Sequence, residues 1–251
     1  MTTNVHTEPN SGEGLAGSSD PKADTISSWA RCAWGIFRKD VRVELRTRYA
    51  LGSVALFSIT TVVMMSVALS GAPVKSEVKA ALIWVVLLFG ALSGLARAFV
   101  REEEAGTAAG LRLGAPATAV YAGKLLFNLA LVLTVEAITV PLFSVFMPEA
   151  NVRYGLFLSI LLTGGWGLAA SSTFIAVMIA QTSGGKSALF AIVSFPVLMP
   201  LLMAAVQGTA GAFSNVASFQ ARSLADIGQL SLYAVVMTTA SFLLFEYVWH
   251  D

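Results

Sequence analysis

The segment AFVREEEAGTAAGLRLGAPATAVYAGKLLFN, residues 98–128, decides the fold because it places a run of charges between two apolar stretches. Arg101, Glu102, Glu103 and Glu104 are adjacent, whereas residues 80–96 contain no charged side chain. Four adjacent charges at bilayer depth would be very costly, so they must lie at or beyond a membrane interface. The segment therefore predicts a polar loop between two membrane spans.

The composition of the whole chain agrees with an integral membrane protein. Hydrophobic residues make up 56% of the chain and charged residues only 12%, whereas roughly a quarter of residues are charged in a soluble domain. The net charge of +1 gives no indication of a nucleic-acid partner. The single cysteine, Cys32, cannot form a disulfide within the chain, so it does not indicate a redox compartment.

Six apolar stretches are close to the roughly 20 residues that cross a bilayer as a helix. Backbone polar groups in lipid need partners within the segment, so all six are predicted to be helical. The predicted spans are 50–70, 80–98, 120–147, 154–180, 188–207 and 230–249. The predicted fold class is therefore an all-α integral membrane protein with a six-span domain over 50–249. Kinks are expected at Pro141, Pro196 and Pro200.

Lysine and arginine counts predict the orientation of the spans. With both termini in the cytoplasm, twelve of these residues lie inside: Lys22, Arg31, Arg38, Lys39, Arg42, Arg46, Arg48, Arg97, Arg101, Arg112, Lys124 and Lys186. Four lie outside: Lys75, Lys79, Arg153 and Arg222. The charged loop at residues 99–119 is then cytoplasmic.

The region before the first span divides into a tail and an interfacial helix. Residues 1–28 are polar and are predicted to be a disordered cytoplasmic tail. Residues 29–49 predict an amphipathic helix at the inner membrane surface, with an apolar row beside a basic row. The apolar row is Trp34, Phe37, Val41 and Leu45, and the basic row is Arg38, Arg42 and Arg46.

Two alternatives stay open for this helix. Ile36 and Val43 fall on its other side, so either its amphipathic character is modest or that side packs on protein. The second alternative is that the segment forms no surface helix and is a positively charged flank that only orients the first span.

The loop over residues 99–119 contains helix breakers after its charges. Gly106, Gly110, Gly114 and Pro116 surround Leu111 and Leu113, which suits a short helix and turn across the cytoplasmic end of a bundle. The alternative is a solvated acidic loop with no specific function.

Glu136 is an ionisable residue near the middle of the third predicted span. Such a residue is a candidate for function, although a packing role is the alternative. Small residues in TGGWGLAASS, residues 163–172, and in GALSG, residues 90–94, predict close packing of helices.

Catalysis by this chain is not expected. The run AQTSGGKS, residues 180–187, ends like a phosphate-binding loop, but it has Ala180 in place of the first glycine and lies between two predicted spans. His6 and His250, the two histidines, both lie near the chain ends. Neither a metal site nor a catalytic pair is predicted within a span.

The charged segment and the span after it resemble the haem exporter protein B family, the B permease of the cytochrome c maturation system. The resemblance extends over residues 36–249, although Ala108 and Ala109 depart from the family's pattern after Gly-Thr. Its motif positions here are Arg101, Glu102, Gly106, Thr107, Pro116, Tyr121, Gly123, Lys124 and the Glu136-x4-Pro141 pair, with Lys39, Asp40, Glu44 and Arg46 before the first span.

The resemblance implies a permease subunit of an ABC-2-type exporter, located in the bacterial inner membrane, that binds no cofactor itself. A separate cytoplasmic ATPase and a haem-handling C subunit would be its partners besides lipid, with haem as a candidate cargo of the complex. The implied ATPase-coupling residues are Arg101, Glu102, Glu103, Glu104, Gly106, Thr107, Gly110 and Pro116. The surface helix would use Arg38, Lys39, Asp40, Arg42, Glu44 and Arg46.

Two other functions remain open at this stage. One is an ABC-2-type export permease for a drug, a lipid or a polysaccharide, which has the same span count and surface helix. The other is a channel or passive scaffold, which would not depend on an ATPase.

Overall fold

The computed structural model describes the backbone of residues 21–47, 49–70, 74–104, 116–180 and 186–250. It describes side-chain surroundings for residues 28–46, 52–70, 74–92, 116–176 and 194–245. Throughout these ranges the regular structure is helical, which confirms the all-α prediction. The helices are α1 (Pro21–Thr47), α2 (Tyr49–Ala68), α3 (Ser76–Glu104), α4 (Ala117–Phe146), α5 (Tyr154–Ala180), α6 (Lys186–Ala212) and α7 (Ala217–His250).

Helices α2 to α7 follow the six predicted apolar stretches in order. Within the described residues, four segments are long and apolar enough to cross a membrane: Ala117–Phe146, Tyr154–Ala176, Ser194–Ala212 and Ala217–Phe245. The apolar part of α2, Gly52–Ala68, is shorter. These helices make the chain a membrane-embedded protein, and the count of six spans stays a prediction.

Helix α1 begins at Pro21, eight residues before the surface helix predicted at 29–49. It therefore includes the end of the tail predicted to be disordered. Proline has a backbone angle suited to the first turn of a helix, and residues 22–34 contain no further proline or glycine that would interrupt it. Residues 1–20 of the predicted tail lie outside the described residues.

The core of the bundle lies around Trp84 on α3, whose side chain is fully buried. Its indole Nε1 donates a hydrogen bond to Thr209 Oγ1 on α6 over 2.8 Å. A Cβ atom at Gly164 on α5 would overlap the indole ring, and one at Gly90 on α3 would lie 2.9 Å from Val135 Cγ1 on α4. Both runs of small residues therefore serve close helix packing, as predicted.

Polar side chains inside the bundle pair across helices. Such pairs stabilise helix association in lipid, where few other partners are available. The described pairs join α4 to α5, α4 to α2 and α5 to α7: Asn128 Nδ2 to Thr173 Oγ1 (2.7 Å), Thr139 Oγ1 to Ser58 Oγ (3.1 Å) and Ser171 Oγ to Tyr233 OH (2.9 Å).

The described parts of the connections after α2, α4 and α6 meet at one end of the bundle, which we call the Glu149 end (residues 69–70, 74–75, 147–153 and 213–216). Lys79 Nζ contacts Glu149 Oε2 and the Pro148 carbonyl, each over 2.8 Å. Arg153 donates to the side chain of Gln220, which donates in turn to the Ser214 carbonyl. The four cations predicted to lie outside are all on α3, α5 or α7 or just before them, at this end.

Candidate functional site

The predicted ATPase-coupling segment lies between α3 and α4. Residues Arg101 to Glu104 form the last turn of α3, and Pro116 immediately precedes α4 with φ −64° and ψ 137°. Gly106, Thr107 and Gly110 lie outside the described residues, as do the side chains of residues 101–104. The structure therefore shows that the segment connects the end of α3 to the beginning of α4.

Helix α1 packs tightly against the beginning of α4. At Gly123 a Cβ atom would lie 2.8 Å from the Ala33 carbonyl oxygen and 2.9 Å from Ile36 Cβ. Trp29 Nε1 also donates to Thr118 Oγ1 over 2.9 Å. Because only glycine leaves this space, Gly123 allows α1 to contact the α4 backbone closely. The side of α1 that includes Ile36 thus packs on protein.

The opposite side of α1 is exposed and apolar. Trp34 and Leu45 are 59% and 57% exposed, and Arg38, Arg42 and Arg46 are exposed as well. Aromatic and aliphatic side chains with arginines suit the boundary between acyl chains and headgroups. This arrangement fits the predicted surface helix.

Four other residues of α1 named from the sequence occupy different surroundings. Lys39 Nζ lies 3.1 Å from Asp40 Oδ1, a partly exposed ion pair that contributes little to stability. Glu44 is buried, with 8% of its surface exposed. Val43 is 45% exposed, so it does not share the buried position of Ile36.

Tyr121 connects the beginning of α4 to the end of α7. Its hydroxyl donates to the Thr238 carbonyl over 3.2 Å, and its ring lies near the rings of Phe242 and Phe245. Gly123, two residues later, contacts α1 instead. The Tyr-x-Gly-Lys motif therefore binds α4 to two different helices directly after the coupling segment.

Glu136 lies inside the bundle between α4 and α5. Its side chain is 6% exposed, and its carboxyl occupies the space that a Cβ at Gly165 would need. The sequence identified Glu136 and the Gly164–Gly165 pair separately. It did not identify their contact, because the register between two helices depends on tertiary packing.

Asp226, near the beginning of α7, is a second buried carboxyl that the sequence analysis missed. It is 7% exposed, and its Cβ would lie 3.2 Å from a Cβ at Gly208 on α6. An acidic residue in the mostly apolar run LADIGQL was the available signal. The predicted span began at residue 230, so Asp226 was placed outside it.

The apolar helices, the surface helix packed on α4 and the buried polar pairs define the class: a helical integral membrane protein with several spans. A family model described as "CcmB protein" matches residues 31–244. The chain belongs to the CcmB family, as the resemblance of its motifs indicated. The comparison with curated proteins returned no match.

Proposed function

We propose that this chain is the permease subunit of an ABC transporter that acts in c-type cytochrome biogenesis. The observation that carries the proposal is the CcmB family match, which extends from α1 into α7. The matched region contains the surface helix, the charged segment and the apolar helices together. The complex would export haem or use ATP to release a haem-loaded chaperone.

ATP hydrolysis is assigned to a separate cytoplasmic subunit. The phosphate-loop-like run ends at Lys186 and Ser187, which begin α6, a helix that packs against α3, α5 and α7. A phosphate-binding loop requires instead a strand before it and a soluble domain around it. We therefore propose a non-catalytic subunit that uses ATP through contact with its partner.

The contact with the ATPase is assigned to residues 101–116. A coupling element must contact the two states of the ATPase differently and pass that difference to the spans. Helix α4 begins directly after this segment and contacts α1 through Gly123, α7 through Tyr121 and α5 through Glu136. A displacement of the segment would therefore reach three helices through α4.

The remaining partners follow from the family. We propose a haem-handling membrane subunit beside this chain, haem as cargo of the complex and no cofactor bound by this chain alone. The proposed arrangement has six spans, ABC-2-type architecture and both termini on the cytoplasmic side of a bacterial inner membrane. The positive residues predicted inside support this orientation.

Co-purification from native membranes separates the proposal from an ABC-2-type exporter of drugs, lipids or polysaccharides. The tagged full-length chain is expected to retain a soluble ATPase and a membrane protein that binds haem. Recovery of an ATPase without any haem-binding partner would favour the alternative exporter. Recovery of neither would favour a channel or scaffold.

The coupling assignment is tested by removing the acidic run. Single exposed charges contribute little, often less than about 1 kcal/mol, so Glu102, Glu103 and Glu104 are changed to alanine together. We expect loss of ATPase co-purification at a normal level of the subunit in the membrane. Glu77→Ala, an exposed acid at the Glu149 end, is the matched control. Full ATPase recovery with the triple variant would make the run a solvated loop.

A further inference from the structure

We propose that Glu136 is an intramembrane proton-binding site whose proton is bound while α4 and α5 are closed against each other. We call this contact the α4–α5 seam, formed by Asn128 and Glu136 on α4 and by Gly165 and Thr173 on α5. The proposal does not depend on haem, on the ATPase or on cytochrome biogenesis.

The seam has a defined register. Asn128 Nδ2 donates to Thr173 Oγ1 over 2.7 Å. Glu136 lies eight residues after Asn128, and Gly165 lies eight residues before Thr173, so the second contact occurs where two antiparallel helices would place it, about 12 Å further along. Between them, Val132 and Ala169 belong to one buried cluster. These contacts fix Glu136 opposite Gly165 over this part of the interface.

Gly165 leaves the space that the Glu136 carboxyl occupies. The Oε1 atom of Glu136 lies where a Cβ of residue 165 would project, and Oε2 would lie 3.4 Å from that Cβ. A larger residue at position 165 would therefore separate the helices or displace the carboxyl. The carboxyl is therefore packed against the α5 backbone at Gly165.

The buried carboxyl has no partner that would stabilise a negative charge. Oε1 is buried and makes no hydrogen bond within the described residues. Glu136 is ten residues before the end of α4, about 15 Å, which is half of a hydrocarbon core of about 30 Å. A carboxylate in such surroundings is strongly disfavoured, and it takes up a proton instead.

The helices packed on α4 supply no compensating cation in their described parts. The described residues of α2 and α5 carry no Asp, Glu, Lys or Arg, and Lys79 of α3 pairs with Glu149 at the end of the bundle. On α7 the nearest groups along the chain are Arg222, Asp226 and Tyr233, and Tyr233 is bound to Ser171 and to the Val197 carbonyl. Helix α1 has seven charged groups among its described side chains, and none of them is paired with Glu136: Arg31, Arg38, Lys39, Asp40, Arg42, Glu44 and Arg46.

Closure of the seam and binding of the proton therefore favour each other. When α4 and α5 separate far enough to admit water, the carboxyl releases its proton, and when they close the carboxylate takes a proton up again. Linkage requires this relation to hold in both directions. The only ligand that this linkage needs is the proton.

Infrared spectroscopy of the purified full-length chain in lipid nanodiscs tests for the proton. At neutral pH we expect the carbonyl band of a protonated carboxylic acid, shifted to lower wavenumber by glutamate labelled with carbon-13 and absent in Glu136→Gln. Glu44→Gln and Asp226→Asn, which alter the two other buried acids among the described side chains, should leave the glutamate-shifted band in place. If labelled glutamate shifts no such band in the unaltered chain, the proposal is wrong, whether or not any variant folds.

Deuterium exchange tests the linkage to the seam. Gly165→Ala should displace the carboxyl from the seam or separate α4 from α5, so the glutamic acid band should exchange in D2O several-fold faster than in the unaltered chain or should be lost. Gly155→Ala, on the same helix with nothing within 4 Å, is the control and should exchange at the unaltered rate. Equal exchange in both variants would show that the proton is not linked to closure of the seam.

Discussion

Gly164 is the residue that most clearly allows α5 to approach α3 closely. The Trp84 ring occupies the space of a side chain at this position, and the indole is fixed by its hydrogen bond to Thr209. The ring is fully buried, so it has no free volume into which it can move. The packing of α3, α5 and α6 therefore depends on the absence of a side chain at Gly164.

Gly164→Ala is expected to destabilise the protein by about 1–3 kcal/mol, the usual cost of an added carbon in a packed core. The measurement is the temperature at which the purified protein loses its folded form in detergent. Gly155→Ala should leave that temperature unchanged or raise it, because an exposed alanine favours a helix over glycine. Equal midpoints for the two variants would contradict the packing around Trp84.

The sequence predicted which residues matter in this region but not their partners. The run TGGWG indicated close packing, and Glu136 was identified from its depth in an apolar stretch. The contacts of Gly164 with Trp84 and of Gly165 with Glu136 join residues far apart in the chain. Their assignment requires the register and rotation of three helices, which no local pattern contains.

At the scale of the helices, α1 shows how one glycine determines the position of a whole element. Its contact with α4 is centred on Gly123, which faces Ala33 and Ile36. The sequence predicted a surface helix and left open whether the Ile36 side packs on protein. The structure answers that it does, since Ile36 is buried and Trp34 on the other side is exposed.

Gly123→Val should separate α1 from α4. Cys32, the single cysteine, is partly buried beside Ala33 and provides a native reporter. We expect its reaction with a maleimide to become several-fold faster in the variant. Gly35→Ala, on α1 with nothing within 4 Å, should keep the original rate. An unchanged rate in Gly123→Val would place the contact elsewhere.

The limits of the helices were predicted with varying success. The apolar stretches at 50–70 and 154–180 agree closely with α2 and α5, because loops with Gly, Pro or Asn interrupt the chain beside them. Helix α7 begins thirteen residues before the predicted start at 230. The prediction began late because the first turns of the helix carry the polar residues Gln220, Arg222 and Asp226. Hydropathy detects the part of a helix in lipid, and a helix can extend beyond it.

At the scale of the whole molecule, successive helices run in opposite directions, which places the four cations predicted to lie outside at the same end of the bundle. The Lys79–Glu149 pair joins α3 to the connection after α4, and Arg153 joins the same connection to Gln220 on α7. Helix α1 and the end of α3 lie at the other ends of the helices, beside the beginning of α4. The bundle can then lie in the membrane in one of two orientations. The distribution of lysine and arginine predicts the one with the Glu149 end outside.

Labelling of single cysteines in a Cys32→Ser background tests this orientation. A cysteine at Ser218, exposed at the Glu149 end, should react with an impermeant reagent added from outside the inner membrane. A cysteine at Thr107 in the coupling segment should react only after the membrane is opened. Reaction at Thr107 from outside would reverse the orientation and remove the basis for contact with a cytoplasmic ATPase.

The measurement that tests the central claim most directly is the yield of c-type cytochromes in a strain lacking this chain. Restoring the chain should restore holocytochrome, detected by haem staining, when the partner ATPase is active, but not when its nucleotide site is disabled. That result would establish a permease that works with an ATPase in cytochrome biogenesis. Normal c-type cytochromes in the deletion strain, or full recovery with the disabled ATPase, would contradict the account.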